Sequence, residues 1–529
     1  MKKFALVILT AFLMLSCFGL VACKHEHVFD RQVTKSIYRK SIATCETGAV
    51  YYKSCACGEA GTETFSTLPL EHLYVNRKCL RCPSVLATSR GLIYKNVDEN
   101  TCLVFSLGTC TDNDIVIPAE NDGKAVIGID NEVFKGYDNL ESITIPNTMF
   151  SIGKHAFSGC ANLKTIIFAE DSKIITINEG AFENCSKLED LSLPNSLEEI
   201  KNSAFSNCTS IDEITIPNST ISIGKDAFTH CFNLKNLTLS NSLENIGDNA
   251  FAYCDLETVT LPSTLKTFGV GIFANCTRLA SIELSNNENF KVIDGNLYTN
   301  DEKTLLQYAI GKTENSFVVP SGVTNIGEYA FAYAKNLVLI VLPSTLTKIG
   351  DEAFSECNNL FEIYNLSNID IVKGSVKNGN IAYNARDVHN SLSAQSKTNV
   401  ADGYIIYLDG QESLLIGYIG LDTALEIPNY ATKIEESAFE NNNKIESIKV
   451  LGAVTSINDF AFAYCYNLKN ITIGKSVTNI GIGAFLGCSK LETITFEGTI
   501  EEWNNITKGF SWDFSTGTMV ITCSDGVVQ

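Results

Sequence analysis

The sequence predicts an α/β repeat solenoid, a stack of coils of about 23 residues with short parallel strands. Three observations carry this. The block Ala-Phe-x-x-Cys-x-x-Leu recurs, beginning at Ala156, Ala181, Ala227, Ala353, Ala461 and Ala484. Its Phe falls at 134, 157, 182, 205, 228, 251 and 273, then 331 and 354, then 439, 462 and 485, with most steps 23 residues long. Between the blocks, apolar residues alternate and end at Pro or Gly, as in Ile214-Thr-Ile216-Pro217 and Ile221-Ser-Ile223-Gly224. A fixed period of about 20–29 residues with Leu or Ile at set offsets marks a leucine-rich-repeat solenoid. Such stacks present long binding surfaces more often than closed pockets.

The elements follow in order. Residues 1–22 read as an export signal: Lys2 and Lys3 precede an apolar run, Phe4 to Leu20, too short and wrongly flanked for a membrane span. The run ends in Leu20-Val21-Ala22-Cys23, which resembles the lipobox of bacterial lipoproteins. That resemblance implies cleavage before Cys23, a diacylglycerol on its sulfur, and a protein tethered to the membrane outside the cytoplasm. Each buried lipid methylene contributes about 0.8 kcal/mol to such an anchor.

Residues 23–88 read as a Cys/His-rich neck. His27, Cys45, Cys55 and Cys57 are candidate ligands of a structural zinc, with His72, Cys79 and Cys82 in a second or shared site. Cys-x-x-Cys downstream of a His matches metal-ligand spacing, and a four-ligand site leaves no position open for catalysis. Disulfides in an exported module are the second reading, and unpaired thiols the third. The five neck cysteines cannot all pair with one another, which favours metal.

Residues 89–294, 295–364 and 403–498 read as three blocks of repeats. Within one coil, Phe205, Cys208 and Ile211 lie three apart, a spacing that suits a short helical or 3₁₀ turn burying one face. Two short strands follow, one ending at Pro217 and one at Gly224. The Phe positions read as core. Nine cysteines (160, 185, 208, 231, 254, 276, 357, 465 and 488) share one repeat position, which holds Tyr137, Ala334 and Asn442 in other coils. A position that accepts four residue types is not selected for a disulfide, so these read as buried reduced thiols.

Each block opens on a hairpin pattern. The three are Gly91 to Phe105, Gly295 to Tyr308 and Gly403 to Tyr418, each with two apolar runs joined by a polar turn. Residues 365–402 are an irregular insert with little periodicity. They read as the weakest part of the array, a hinge or a protruding loop, with a short helix near Ile381 to His389. Residues 499–529 leave the repeat and read as a cap, with Trp503 covering the last coil. A sugar-stacking role for Trp503 or Trp512 is the alternative.

The Ala-Phe-x-x-Cys-x-x-Leu blocks, together with Leu342-Pro343 through Leu346 to Ile349-Gly350, closely resemble the BspA-like leucine-rich-repeat surface proteins of bacteria. The resemblance spans residues 90–525. It implies an exported, cell-surface protein associated with adhesion to host matrix proteins or other bacteria.

Chemistry is sparse. The chain lacks a Walker A loop, a Rossmann glycine fingerprint, His-Glu-x-x-His and Gly-x-Ser-x-Gly. The acidic pairs Glu198-Glu199 and Glu435-Glu436 read as solvated turns, and His155 and His230 as edge residues. A net charge of −20 argues against nucleic-acid binding, which needs a basic stripe. The expected function is therefore non-catalytic: a lipid-anchored scaffold or adhesin that binds an extracellular or host-surface protein. A glycan-binding or cell-wall-associated structural protein is the second reading.

Overall fold

The computed structural model describes Gln32, residues 39–41, 48–54, 60–69, 74–75, 78–79, 88–89 and 91–528. In the neck, strands Arg39–Ser41, Gly48–Ser54 and Ala60–Pro69 form an antiparallel sheet, and Tyr74–Val75 pairs with Lys78–Cys79.

From residue 91 onward the chain is a solenoid whose coils each cross three faces. The first is the Ile-Gly face, made of two-residue strands such as Ser151–Ile152, Thr176–Ile177 and Glu199–Ile200, paired in parallel. The second is the Ile-Pro face, with strands such as Ser142–Ile145 and Thr165–Phe168 in parallel register. Alternating apolar residues turn inward on both faces, and strand pairing holds neighbouring coils at about 4.8 Å. No coil can cover its own apolar side, so stability comes from stacking.

The third face carries the Phe anchors, and here the expected helical turn is absent. Among the described residues the only helix is Ile500–Asn505, so the solenoid is almost wholly β strands and turns. Each Ala-Phe block is instead bracketed by two residues in the left-handed region four positions apart, as in His155 (φ 50°) and Gly159 (φ 76°), or Ser203 (φ 55°) and Asn207 (φ 59°). This conformation alternates the backbone donors. Ser158 N donates back to His155 O, while Phe157 N donates forward to Ala181 O at 2.8 Å. The same forward bond recurs from Phe134 to Ala156, Phe182 to Ala204, Phe205 to Ala227 and Phe462 to Ala484, each 2.8 Å. The anchor turns thus form a third ladder between coils. Three-residue spacing of apolar side chains is common to a 3₁₀ turn and to this turn, so spacing alone does not separate them.

The Phe rings are fully buried and stack face to face along the axis. Phe134, Phe157 and Phe182 have centroids 5.0 Å apart with planes within 9°. Phe331 and Phe354 lie 4.7 Å apart, and Phe439 and Phe462 4.9 Å. Where a block begins, Tyr308 and Tyr418 take the anchor position; Tyr308 stacks on Phe331 at 4.8 Å, and Tyr418 is tilted against Phe439 at 6.1 Å.

The nine repeat cysteines are buried, and each thiol donates to the carbonyl of the Phe in the preceding coil, at 3.0 to 3.4 Å. That carbonyl already accepts one bond inside its own turn, as Phe157 O does from Cys160 N, so the thiol of Cys185 fills its second lone pair. The three exceptions have a positional cause. Tyr137, Ala334 and Asn442 open the Phe arrays, so the coil before them has no Phe anchor. Before Ala334 that anchor is Tyr308, whose carbonyl receives the Gln307 amide at 2.9 Å instead.

The Ile-Gly face forms three sheets, each opening with antiparallel strands. The hairpins are Ile93–Asn96 with Thr101–Ser106, Asn296–Thr299 with Thr304–Gln307, and Tyr404–Asp409 with Glu412–Tyr418. Phe290–Ile293 and Thr398–Ala401 each add an antiparallel strand ahead of the second and third hairpins. The insert is not a hinge. Ile381, Ala382 and Ala385 enter the core of the second block, and Asp387–His389 extends its Ile-Pro sheet. The helix expected near Ile381 is replaced by turns and this strand. The third hairpin also docks backward: Ile405, Tyr407, Leu414 and Ile416 bury Val338 and Phe361 of the second block. The first two blocks are tied by a hydrogen bond between the Tyr253 and Tyr333 hydroxyls, 2.8 Å.

At the C-terminus, helix Ile500–Asn505 starts with a capping box, Thr499 to Glu502. Trp503 is buried against Phe496 and Trp512, and closes the last core.

In the first block the Ile-Gly ladder runs unbroken, but the Ile-Pro ladder is interrupted after Asp190–Leu191 and again after Asn236–Thr238. The second break follows a missing residue: Cys254-Asp-Leu256 replaces the usual Cys-x-x-Leu. The first break follows charge. The residue after each Leu or Ile anchor runs Glu141, Lys164, Glu189, Asp212, Lys235. Glu141 and Lys164 bind each other at 2.8 Å, whereas Glu189 and Asp212 are neighbouring acids, and like charges opposite one another oppose strand pairing.

Candidate binding surface

Several sequence-derived site residues lie outside the described residues: Cys23, His27, Cys45, Cys55, Cys57, His72 and Cys82. The backbone of Cys79 pairs with Tyr74.

The histidines of the solenoid have structural surroundings. His155 sits over Gly180, where an added Cβ would lie 2.1 Å from its ring, and its Nδ1 is 3.4 Å from Glu183. His230 stacks on Tyr253 at 4.3 Å. His389 bonds Glu362 at 3.0 Å. Glu362 is fully buried and is the hub of the insert: it also accepts from the Tyr364 hydroxyl at 3.1 Å and the Ser396 hydroxyl at 2.6 Å. This network holds Ser396 and His389 to the same carboxylate. Sequence reasoning missed it because the four residues span 35 positions of a segment without period. The pair Glu435-Glu436 is not merely solvated: Glu435 reaches Arg386 of the insert at 3.4 Å and accepts from Asn458 at 2.9 Å.

The outward rows carry some ion pairs from coil to coil. Lys154 pairs with Glu179 at 2.9 Å, Lys266 with Glu244 at 2.7 Å, Arg278 with Asp255 at 2.9 Å and Lys469 with Glu446 at 2.8 Å. Exposed pairs of this kind contribute about 0–1 kcal/mol each, so they set the surface pattern more than the stability.

The exposed aromatics are not those expected. Trp503 is only 2% exposed and has no free face for a sugar, while Trp512 is half-buried against the same core. Phe510 is 84% exposed and Phe514 62%, on the turn beside the cap. Tyr464 and Tyr466 stand two coils further back, and Phe232 packs edge-on against His230 at 5.4 Å. Several of these aromatic residues, Tyr253, Tyr333, Phe460 and Tyr464, occupy the left-handed positions that hold Gly or Asn elsewhere. A side chain there costs about 1–2 kcal/mol relative to Gly.

The profile of the family described as "BspA type Leucine rich repeat region" matches in six copies, over residues 127–220, 198–313, 307–376 and 422–509. No curated protein matches the chain. Among solved structures, a leucine rich cell surface protein of Faecalibacterium prausnitzii is similar at 26% identity, covering 80% of this chain and 97% of its own, with a TM-score of 0.49. A leucine-rich repeat protein of Bacteroides ovatus is similar at 22% identity, covering 83% and 99%, with a TM-score of 0.44. The pneumococcal vaccine antigen PcpA is similar at 22% identity, covering 82% and 98%, with a TM-score of 0.40.

Proposed function

Because this chain belongs to the BspA-type leucine-rich-repeat family, we propose that it is a non-catalytic binding scaffold held at the bacterial surface, where it engages an extracellular or host-surface protein. The observation that carries this reading is the division of labour within each coil. Phe, Cys and Leu serve the stacking, and the residues that face solvent differ most from coil to coil. A rigid surface of many coils recognises a partner by the sum of small contacts, without a closed pocket. The apolar leader and Leu20-Val21-Ala22-Cys23 support anchorage through a lipid on Cys23.

The test is capture from host-cell and bacterial surface extracts by the mature chain immobilised through its N-terminus. Saturable capture of an extracellular protein is expected, and a complete lack of such a protein across both extracts counts against the reading. Radiolabelled palmitate should enter the wild-type chain in the producing cell and not the Cys23→Ala variant; label in both would remove the anchor.

One observation favours the glycan reading: the exposed rings of Phe510 and Phe514. Retention on polysaccharide, lost on replacing both by Ala while protein capture persists, would support it.

A further inference from the structure

The first break in the Ile-Pro ladder opens a cleft. It has a volume of about 850 Å³, within the range of about 300–1,000 Å³ usual for binding clefts, and runs across three coils. Strand Thr165–Phe168 and the turn Ala169 to Ser172 form one wall, strand Asp190–Leu191 the floor, and Asp212 with Glu213 the far wall. The turn exists because the coil from Phe157 to Phe182 is two residues longer than its neighbours.

Three properties of this cleft point to one kind of occupant. First, no ladder joins Asp190–Leu191 to Glu213–Thr215, so backbone groups of these strands are left without a strand partner; an extended polypeptide lying along the outer face supplies donors and acceptors. Second, Ile167, Phe168 and Leu191 are only half-buried and give the cleft an apolar strip. Third, the charge is all of one sign. Asp171, Glu189, Asp212 and Glu213 are exposed, and among the described residues none of the four pairs with a Lys or Arg. On other coils of the same row a carboxylate is neutralised by the next coil, as Glu141 is by Lys164 and Glu446 by Lys469. Among the described residues no such ion pair reaches Asp171, Asp212 or Glu213, and Glu189 feels the charge of Lys164 on the preceding coil without pairing with it.

We propose that the cleft between Asp190–Leu191 and Glu213–Thr215 receives an extended segment of a protein partner bearing Lys or Arg at alternate positions. Alternate side chains of such a segment point to opposite sides. One set meets Glu189, Asp212 and Glu213, and the other lies on Ile167 and Leu191. The proposal deepens the protein-binding reading above and rests on it.

The probe is a synthetic ten-residue peptide of alternating Lys and Val, titrated into the full chain at low and at physiological salt, with a Glu/Val peptide as comparison. The Lys/Val peptide should bind, more weakly as salt rises, and the Glu/Val peptide should not. The decisive variant is Asp212→Lys, which recreates beside Glu189 the Glu141–Lys164 arrangement. It should weaken the Lys/Val peptide roughly tenfold or more. The charge-matched variant Glu492→Lys, on the same row of the third block, should leave binding nearly unchanged. Equal loss in both variants means general attraction to an acidic chain and overturns the proposal, as does undiminished binding by Asp212→Lys. Circular dichroism of each variant excludes misfolding as the cause. The captured surface protein separates the two readings. If it binds wild type and Asp212→Lys alike, the cleft is not its site and the scaffold reading stands. If no surface protein is captured, the scaffold reading itself fails.

Discussion

A single carbonyl explains why cysteine recurs in a chain that does not use it for bridges. The Phe carbonyl of each anchor turn is buried and has two lone pairs, and its own turn fills one. A small apolar side chain with a weak donor is needed for the other, and the Cys thiol meets both demands. The exceptions at 137, 334 and 442 first read as tolerance; seen in the fold they are block-opening coils with no Phe behind them. The thiols also set an alkaline limit. Burial pushes Cys160, Cys231, Cys276 and Cys357 up to about 12, while an unfolded thiol releases its proton near pH 8.5. A raised folded value means the contribution is intact below the unfolded value and is lost as pH rises toward the folded one. Stability should therefore fall between roughly pH 8.5 and 12, by about 1.4 kcal/mol per pH unit for each such thiol. Urea unfolding at pH 8 and pH 10.5, repeated with Cys231→Ala, checks this: the variant should lose less between the two, and an identical loss would remove the thiol from the account.

At the scale of the element, period and alternation made the strands legible, and polar turns between apolar runs made the hairpins legible. The anchor turn was not, because a left-handed pair and a 3₁₀ turn impose the same apolar spacing. The cap was legible from one residue. Trp503 broke the repeat where an open core had to end, and it is buried there. Replacing Trp503 by Ala should cost about 3–5 kcal/mol. Hydrogen exchange should locate the loss: residues 461–523 exchange faster while residues 134–273 keep their protection, because a solenoid transmits instability only between neighbours. Uniform acceleration along the chain would contradict that picture.

At the scale of the molecule, the block starts could be read from the sequence, but not how the blocks are joined. The insert 365–402 lacks periodicity because it serves a junction instead of a coil. Its Glu362 network and the docked hairpin depend on contacts between residues more than 30 positions apart, such as Glu362 with Ser396 and Phe361 with Ile405. Phe361 is the centre of that joint. Phe361→Ala should remove about 3–5 kcal/mol and divide one thermal transition into two, the third block melting separately; a single lowered transition in calorimetry would show that the joint is held elsewhere.

The anchor ladder also gives the stack a direction. Within each block, a coil that has a Phe coil ahead of it sends its Phe amide proton forward and receives a thiol in return, so such a rung is complete only when its successor has arrived. Within the anchor ladder, removing coils from the N-terminal end strands thiol donors and frees an Ala carbonyl, whereas removing them from the C-terminal end strands Phe amides and half-served carbonyls. The array is therefore a vectorial assembly: a chain emerging N-terminus first always carries its unfinished surface at the growing tip, and the helix with Trp503 is the stop that ends the wait.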